Sequence, residues 1–594
     1  MEEKYTWNLK DVYQTEEDIE KDYQKVIQGL EKIKQFEGKI GETSDTMYQC
    51  IALQEEIEEI ATKLYSYSRL RHDLNKADAV GIKLLKRMED LVSRITTAFS
   101  FIMPEMVMIK EETVEKYIAE NEALRHYERI IRDIMDEKKH VLTPSEETIL
   151  ANYAEILEGF ESVYNMLTDV DISFEPIYNE KGEQLPVTHA TLQRYLTDLN
   201  RDIRKQAYKS EMQAYENHIH TITELYLNYV KKNIITARLR KYDSALQRAV
   251  KSDDSTVEVY NKLIESVHDN LAINHRYLAL KKQLLQLEEM HGYDLFVNPF
   301  IQEEVNIEYE EGVKTVKEAL QPMGEEYLKQ VEYAFTHRWI DVYERENKNS
   351  GGYNMRIYGV HPYILLNYNN TAEEMSTIIH EMGHAMHSYY AANAQTFYDS
   401  QYTIMTAEVA STVNEIILGE YLLSKETDPL QRAKLLDTQI NRVRSTLVSQ
   451  TLLAEFEKIV HDGMEQGENY SADDLNRIYF ELSKMYHGEA VNLDEISQYS
   501  WARIPHFYLN FYVYKYATGI ASAITIARKI LAKEEGYVER YIEMLKKGGS
   551  IKSLDLLRTV DVDLESKAPV ENAFAYYKEK LDELEKIIKD HKKL

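Results

Sequence analysis

Apolar residues recur along this chain at intervals of three and four, and the first hundred residues show the pattern most cleanly. From Thr15 to about Phe36, Ile19, Tyr23, Val26, Ile27, Leu30 and Ile33 share one side of a helix. The same periodicity gives two longer helices, over about 45–74 and 78–102, the second ended by Pro104. Together the three predict an antiparallel bundle. Thr143-Pro-Ser-Glu-Glu147 reads as the entry to a further helical block. Asn179-Glu-Lys-Gly182 sits between β-prone segments and predicts a hairpin. A boundary near residue 190 follows, separating an N-terminal helical region, 1–190, from a second region, 191–594. The fold class expected is mainly α.

The pattern turns from helical to extended just before residue 371. Gly351-Gly-Tyr-Asn-Met-Arg-Ile-Tyr358, a turn at Gly359-Val-His-Pro362, and Tyr363-Ile-Leu-Leu-Asn-Tyr368 predict two strands of a small antiparallel β element. His361 belongs to the turn. Either Tyr363–Tyr368 or Met355–Tyr358 is a candidate edge for binding a peptide by strand addition, the other reading being a hairpin that props the next helix. That helix starts with Thr371 as N-cap and Glu374 closing a capping box. Met375, Ile378, Ile379, Met382 and Met386 form its apolar stripe.

The helix carries His380-Glu-Met-Gly-His384. Residues four apart on a helix project from one face, so both imidazoles can reach one Zn²⁺. Glu381, beside them, can take a proton from a metal-bound water without being a ligand. Glu408, 24 residues after His384, begins another amphipathic run with Val409, Val413, Ile416 and Ile417. A second helix packed beside the first would bring it in as third ligand. His387 shares the face of the two histidines, but three imidazoles along one helix span about 10 Å, too far to converge on one ion. It is read as facing the site without binding the metal. Glu415 either orients one of the histidines or is a solvated helix carboxylate.

Composition narrows the class. Glycine (21) and proline (10) in 594 residues are scarce, which favours long uninterrupted helices. The lone Cys50 excludes an internal disulfide framework and fits a reducing cytosol. The opening residues lack the basic start and apolar run of a signal peptide, and no membrane span is expected. These features point to a cytoplasmic protein. A net charge of −30 argues against nucleic-acid binding. It could bias a site towards cationic peptides or simply reflect solvated helix faces. No obligate protein partner is indicated.

Several further segments carry a resemblance. They are Tyr5-Thr-Trp-Asn-Leu-Lys-Asp-Val-Tyr13, Asp341-Val-Tyr343, Gly351-Gly-Tyr353, the His380 motif, the Glu408 segment, and Ile504-Pro-His-Phe-Tyr508 through Phe511-Tyr-Val-Tyr514 with Ala517-Thr-Gly519. In that order the chain resembles oligoendopeptidase F, within the wider group of thimet oligopeptidase, neurolysin and dipeptidyl carboxypeptidase. The resemblance implies a two-lobed helical metallopeptidase with a deep substrate channel, cutting internal bonds of short oligopeptides. It implies one Zn²⁺ per chain on His380, His384 and Glu408, with Glu381 as general base. It also implies that His506 and a nearby tyrosine, with Tyr514 first and Tyr508 and Tyr512 behind it, stabilise the charge built on the carbonyl oxygen. The interval from His506 to the Phe-Tyr-Val-Tyr514 stretch is shorter than in thimet oligopeptidase. Three other readings remain: an exopeptidase on the same scaffold, for which no carboxylate-capturing arginine or lysine can be picked out, a peptide-binding protein without catalysis, and a structural scaffold.

Overall fold

A computed structural model describes residues 2–300 and 306–591. Helices dominate them, as the periodicity predicts, and strands form three small sheets among the described residues. The chain folds into two compact units. The first is built from Met1–Glu147, Glu304–Leu418 and Ile526–Asp561, the second from Thr148–Glu303, Gly419–Thr525 and Val562–Leu594. The expected hairpin pairs Ile177–Tyr178 with Gln184–Leu185, and it lies inside the second unit, as does residue 190.

In the first unit the three expected helices are Glu16–Ile33, Ser44–Leu74 and Ala79–Phe99. Thr15 and Asp18 cap the first reciprocally, and Ile19, Tyr23, Val26, Leu30 and Ile33 are buried while Ile27 sits at the margin. Gly29 lets the second helix come close: a Cβ there would meet Ile57 Cγ1 at 2.7 Å. Pro104 does not end the third helix. The chain turns at Ser100 and Phe101, and Pro104 falls in the first turn of Ile102–Met108, where a missing N–H leaves no bond unmade. By length and composition the run Ala79–Met108 is apolar enough to cross a membrane, where the sequence reading expects no such run. Here Met88, Leu91 and Ile95 join the core of the first unit, and Val80 and Val92 face outward.

The β element of the first unit has three strands rather than two, in the order Ile340–Tyr343, Tyr363–Tyr368, Tyr353–Met355. The first pair is parallel and the second antiparallel, so the sheet is mixed. Tyr363–Tyr368 is therefore the central strand, paired on both sides, and cannot accept a further strand. Tyr353–Met355 is the edge, and its regular pairing stops at Met355. The strand missed by the sequence reading contains Asp341, whose carboxylate is fully buried against Lys348 at 2.7 Å and is held by Arg345 at 2.7 and 3.0 Å. Lys348 also donates to the carbonyls of Tyr343 and Leu366, tying the first strand to the central one. Trp7 closes the sheet from the chain start, its indole N–H donating to Ile364 O at 2.7 Å.

The second unit holds a core of Ile177, Leu192, Tyr195, Ile203, Tyr208 and Met212. Beside it Tyr226, Phe456 and Phe507 stack with ring centroids 5.3 to 6.2 Å apart, which anchors the segment around residue 506.

Candidate functional site

The motif helix is Ala372–Ala394, with Thr371 Oγ1 accepting the Glu374 N–H at 3.2 Å. Its apolar stripe is buried at all five expected positions. His380 and His384 stand one turn apart, ring centroids 4.8 Å from each other and planes at 81°. The next helix, Ile404–Lys425, brings Glu408 to them, its Oε2 lying 3.9 Å from Nε2 of each histidine. The three ligand atoms lie within 4.8 Å of one another and could hold a metal ion. A tetrahedral zinc with ~2.0 Å bonds sets its ligand atoms ~3.3 Å apart, so small side-chain rotations would close the gap. The donor set fits a metal.

Gly383 allows the two helices to approach this closely. A Cβ at that position would fall 2.6 Å from both Ala410 O and Ser411 Cα, which are backbone atoms that cannot swing aside. Fully buried Asn414 bridges the same helices, donating through Nδ2 to Ile379 O at 3.3 Å. The glycine of the motif was visible in the sequence, but its part in bringing up Glu408 was not.

His380 is oriented from behind: its Nδ1 lies 3.3 Å from Glu415 Oε1, the contact expected of an orienting carboxylate rather than a solvated one. Burial opposes charge on His380, but the Glu415 carboxylate outweighs it and raises its pKa. Burial, with His380 adding to it, pushes His384 down to about 3, so this imidazole is neutral, the form that binds metals. Glu381 is only 6% exposed, and its Oε2 is buried with no hydrogen-bond partner. Burial pushes its carboxyl up to about 7. Burial also raises Glu408. His387 stays out of the group: it is fully buried and stacked on Tyr402 at 3.6 Å and 6°.

The residues expected to stabilise the oxyanion lie in the second unit. His506 forms an aromatic trio with Tyr512 and Tyr516, its centroid 5.9 Å from each, and Tyr516 Oη is 3.4 Å from His506 Nε2. Tyr514 does not join them. It is fully buried, donates to Asp253 Oδ2 at 3.2 Å and packs its ring 5.1 Å from Tyr260. Tyr508 is buried against Tyr164 at 4.5 Å. The backbone explains this sorting. Asn510 and Phe511 both take left-handed φ, 47° and 57°, which is rare for a bulky residue. The resulting kink is held by the buried Glu457 carboxyl group, whose Oε1 accepts the Phe511 N–H at 2.7 Å. The helix that follows starts at Tyr514, so Tyr512 lies on the kinked segment before it and Tyr516 in its first turn, and their rings meet 5.5 Å apart on the side of His506.

The family model described as Peptidase family M3 matches residues 194–576, and one described as Oligopeptidase F matches residues 105–174. The chain belongs to peptidase family M3. Among relatives of this M3 peptidase, oligopeptidase PepF of Bacillus subtilis is 35% identical over 98% of this chain and 87% of its own. An oligoendopeptidase F homolog of Lactococcus lactis is 33% identical over 99% and 98%. Among solved structures, a Chlamydophila abortus protein superposes with a TM-score of 0.91 at 30% identity, covering 99% of both chains. Oligoendopeptidase-F from Enterococcus faecium gives 0.76 at 28% identity over 97% and 99%. The resemblance carried by the short motifs thus extends over the whole chain.

Proposed function

We propose that this M3 peptidase is a zinc endopeptidase hydrolysing internal bonds of short oligopeptides. One observation carries the reading: two imidazoles and a carboxylate converge within 4.8 Å, and beside them a buried carboxylate oxygen has no partner. Zinc held by His380, His384 and Glu408 would supply a Lewis acid that makes water acidic and draws electrons from a substrate carbonyl. Glu381 Oε2 takes the proton of the attacking water and returns it to the leaving amine. Glu415 keeps the Nε2 atom of His380 turned inward. Charge developing on the carbonyl oxygen falls to His506 and a tyrosine of its segment. The contact between Tyr516 and His506 favours Tyr512 and Tyr516 for that part, while the Asp253 bond of Tyr514 weighs against Tyr514.

The edge strand Tyr353–Met355 supports peptide binding by strand addition. Gly352, just before it, lies beside the general base, since a Cβ there would come 3.7 Å from Glu381 Oε1. A substrate backbone along that edge would pass Glu381. The test is mass spectrometry of products from peptides of graded length, with the zinc-loaded protein and Glu381→Gln run side by side. Internal cuts in short peptides, slowed about 10³-fold in the variant while zinc is retained, are expected. Equal turnover by both proteins would sink the role of Glu381, and release of terminal dipeptides alone would make the enzyme an exopeptidase.

A further inference from the structure

The second unit contains a cavity of about 500 Å³ whose wall includes His506. Its other polar lining is one-sided. Arg444, Arg503, His487 and five serines face it, together with Tyr208 and Tyr479 and a set of leucines, and no carboxylate lines it. The chain as a whole has 101 acidic residues against 71 basic ones, so a wall of this length without an acid departs from the surface around it. Both arginines are half-buried, and among the described residues neither has a carboxylate within ion-pair distance, although the buried Asp437 acts on Arg444 through the field. Arg503 Nε is buried without a hydrogen-bond partner, and among the described residues no carboxylate comes within ion-pair distance of Arg503. Glu211 acts on it only through the field, and burial raises that carboxyl towards its neutral form. Among the described residues Arg444 makes one long hydrogen bond, Nε to Asn441 Oδ1 at 3.4 Å, which leaves the fork of its guanidinium for the cavity.

We infer that this cavity is a substrate subsite for a carboxylate, held by Arg444 and Arg503 and flanked by an apolar wall for the residue that bears it. The volume suits one or two amino-acid residues, and a guanidinium fork is the side chain best matched to a carboxylate. Arg503 precedes His506 by three residues, a reach of at most about 11 Å along the chain. An extended substrate advances about 3.3 Å per residue, so the carboxylate would fall within roughly three residues of the bond at His506. The carboxylate could be an acidic side chain or the free C-terminus of the peptide. Either would give the enzyme a preference that a strongly acidic protein would otherwise lack. The inference rests on the proposed function only in placing His506 at the scissile bond.

The experiment uses one peptide in matched forms: free C-terminal acid against amide, and an internal Glu against Gln walked along the sequence. Cleavage is read as kcat/KM in the wild type, in Arg444→Gln and Arg503→Gln, and in Arg444→Lys. Binding of the same peptides is read by calorimetry in the Glu381→Gln protein, with and without Arg444→Gln. The wild type should favour one carboxylate form about tenfold in both readouts, and the two glutamine variants should bring that ratio close to one. Arg444→Lys should restore part of it. The ratio is unaffected by a general loss of folded protein, which lowers both forms alike. A preference in the acid–amide pair assigns the C-terminus, and one in the Glu–Gln series assigns a side chain. A ratio near one in the wild type, or a preference that survives both arginine changes, overturns the inference. If no peptide is cleaved but the arginine-dependent preference appears in binding, the subsite stands and the proposed function falls. Cleavage without any preference has the opposite meaning.

Discussion

The motif helix and the segment around His506 make an instructive contrast. In the first, every chemically loaded residue lies on regular helix, and its neighbours are set by a fixed repeat. His380 and His384 converge because they are four apart, and Glu408 reaches them because Gly383 has no Cβ. In the second, the residues sit on either side of a kink made by two left-handed non-glycine positions, Asn510 and Phe511. Side-chain direction there depends on a carboxyl group more than fifty residues away, Glu457. Periodic structure can be read from spacing. A kink held by a distant partner cannot.

Breaking the first region should produce the largest effect. Gly383→Ala places a methyl group 2.6 Å from two backbone atoms of the facing helix, so the helices must separate by about an ångström. Glu408 moves with its helix. Zinc content after dialysis should fall well below one per chain, and kcat/KM should drop about 10²-fold, the usual result of a misplacement of that size. Full zinc content and near-normal turnover would show that the close approach has no bearing on the site.

The second region is tested next by removing hydroxyls from the His506 trio. Tyr512→Phe or Tyr516→Phe should lower kcat by about 10-fold to 10²-fold with little change in KM or in melting temperature. A loss of stability without loss of kcat in both variants would make the trio structural and return attention to Tyr514.

How much of each region was legible follows from the same contrast. Thr371, the apolar stripe and the three metal-binding candidates could all be placed from spacing, and the structure brings His380, His384 and Glu408 together. The strand at Ile340–Tyr343 is hidden in the sequence because Asp341 interrupts the buried Ile340 and Val342, and its own burial rests on an ion pair with Lys348 seven residues later that leaves no periodic trace. Without that strand Tyr363–Tyr368 looked like an edge, although it is central. Pro104 reads as a stop in the sequence because proline ends a helix and also opens one, and only the turn at Ser100 tells which. Among tyrosines at 508, 512, 514 and 516, alternation carries no information once the backbone reverses its hand at 510 and 511.

The kink itself can be probed through pH. Glu457 is fully buried, and burial pushes its carboxyl up to about 8 from an ordinary value of 4.5, against the Phe511 N–H that pulls the other way. The folded protein therefore holds a proton that the unfolded chain releases near 4.5. The stability this gives is complete below pH 4.5, declines as pH rises, and is gone above about 8. The decline is at most ~1.4 kcal/mol per pH unit. Urea unfolding from pH 5 to 8 should show a steeper fall for the wild type than for Glu457→Gln, which keeps a carbonyl acceptor for Phe511 and cannot ionise. Parallel curves would mean that the buried carboxyl does not titrate in this range.

Tyr514→Phe should give the smallest change and separates the two tyrosine assignments most sharply. The variant loses one buried hydrogen bond to Asp253, which keeps Lys515 at 2.7 Å as its ion partner. A bond to a charged acceptor of this kind contributes about 1–2 kcal/mol. The expected outcome is a lower unfolding free energy of that size with kcat unchanged, measured by denaturant melts and steady-state kinetics on the same preparation. Should kcat fall while stability holds, the hydroxyl of Tyr514 must leave Asp253 during turnover. The tyrosine first chosen from the sequence would then be the catalytic one, and the kink at Phe511 would be the hinge that turns it.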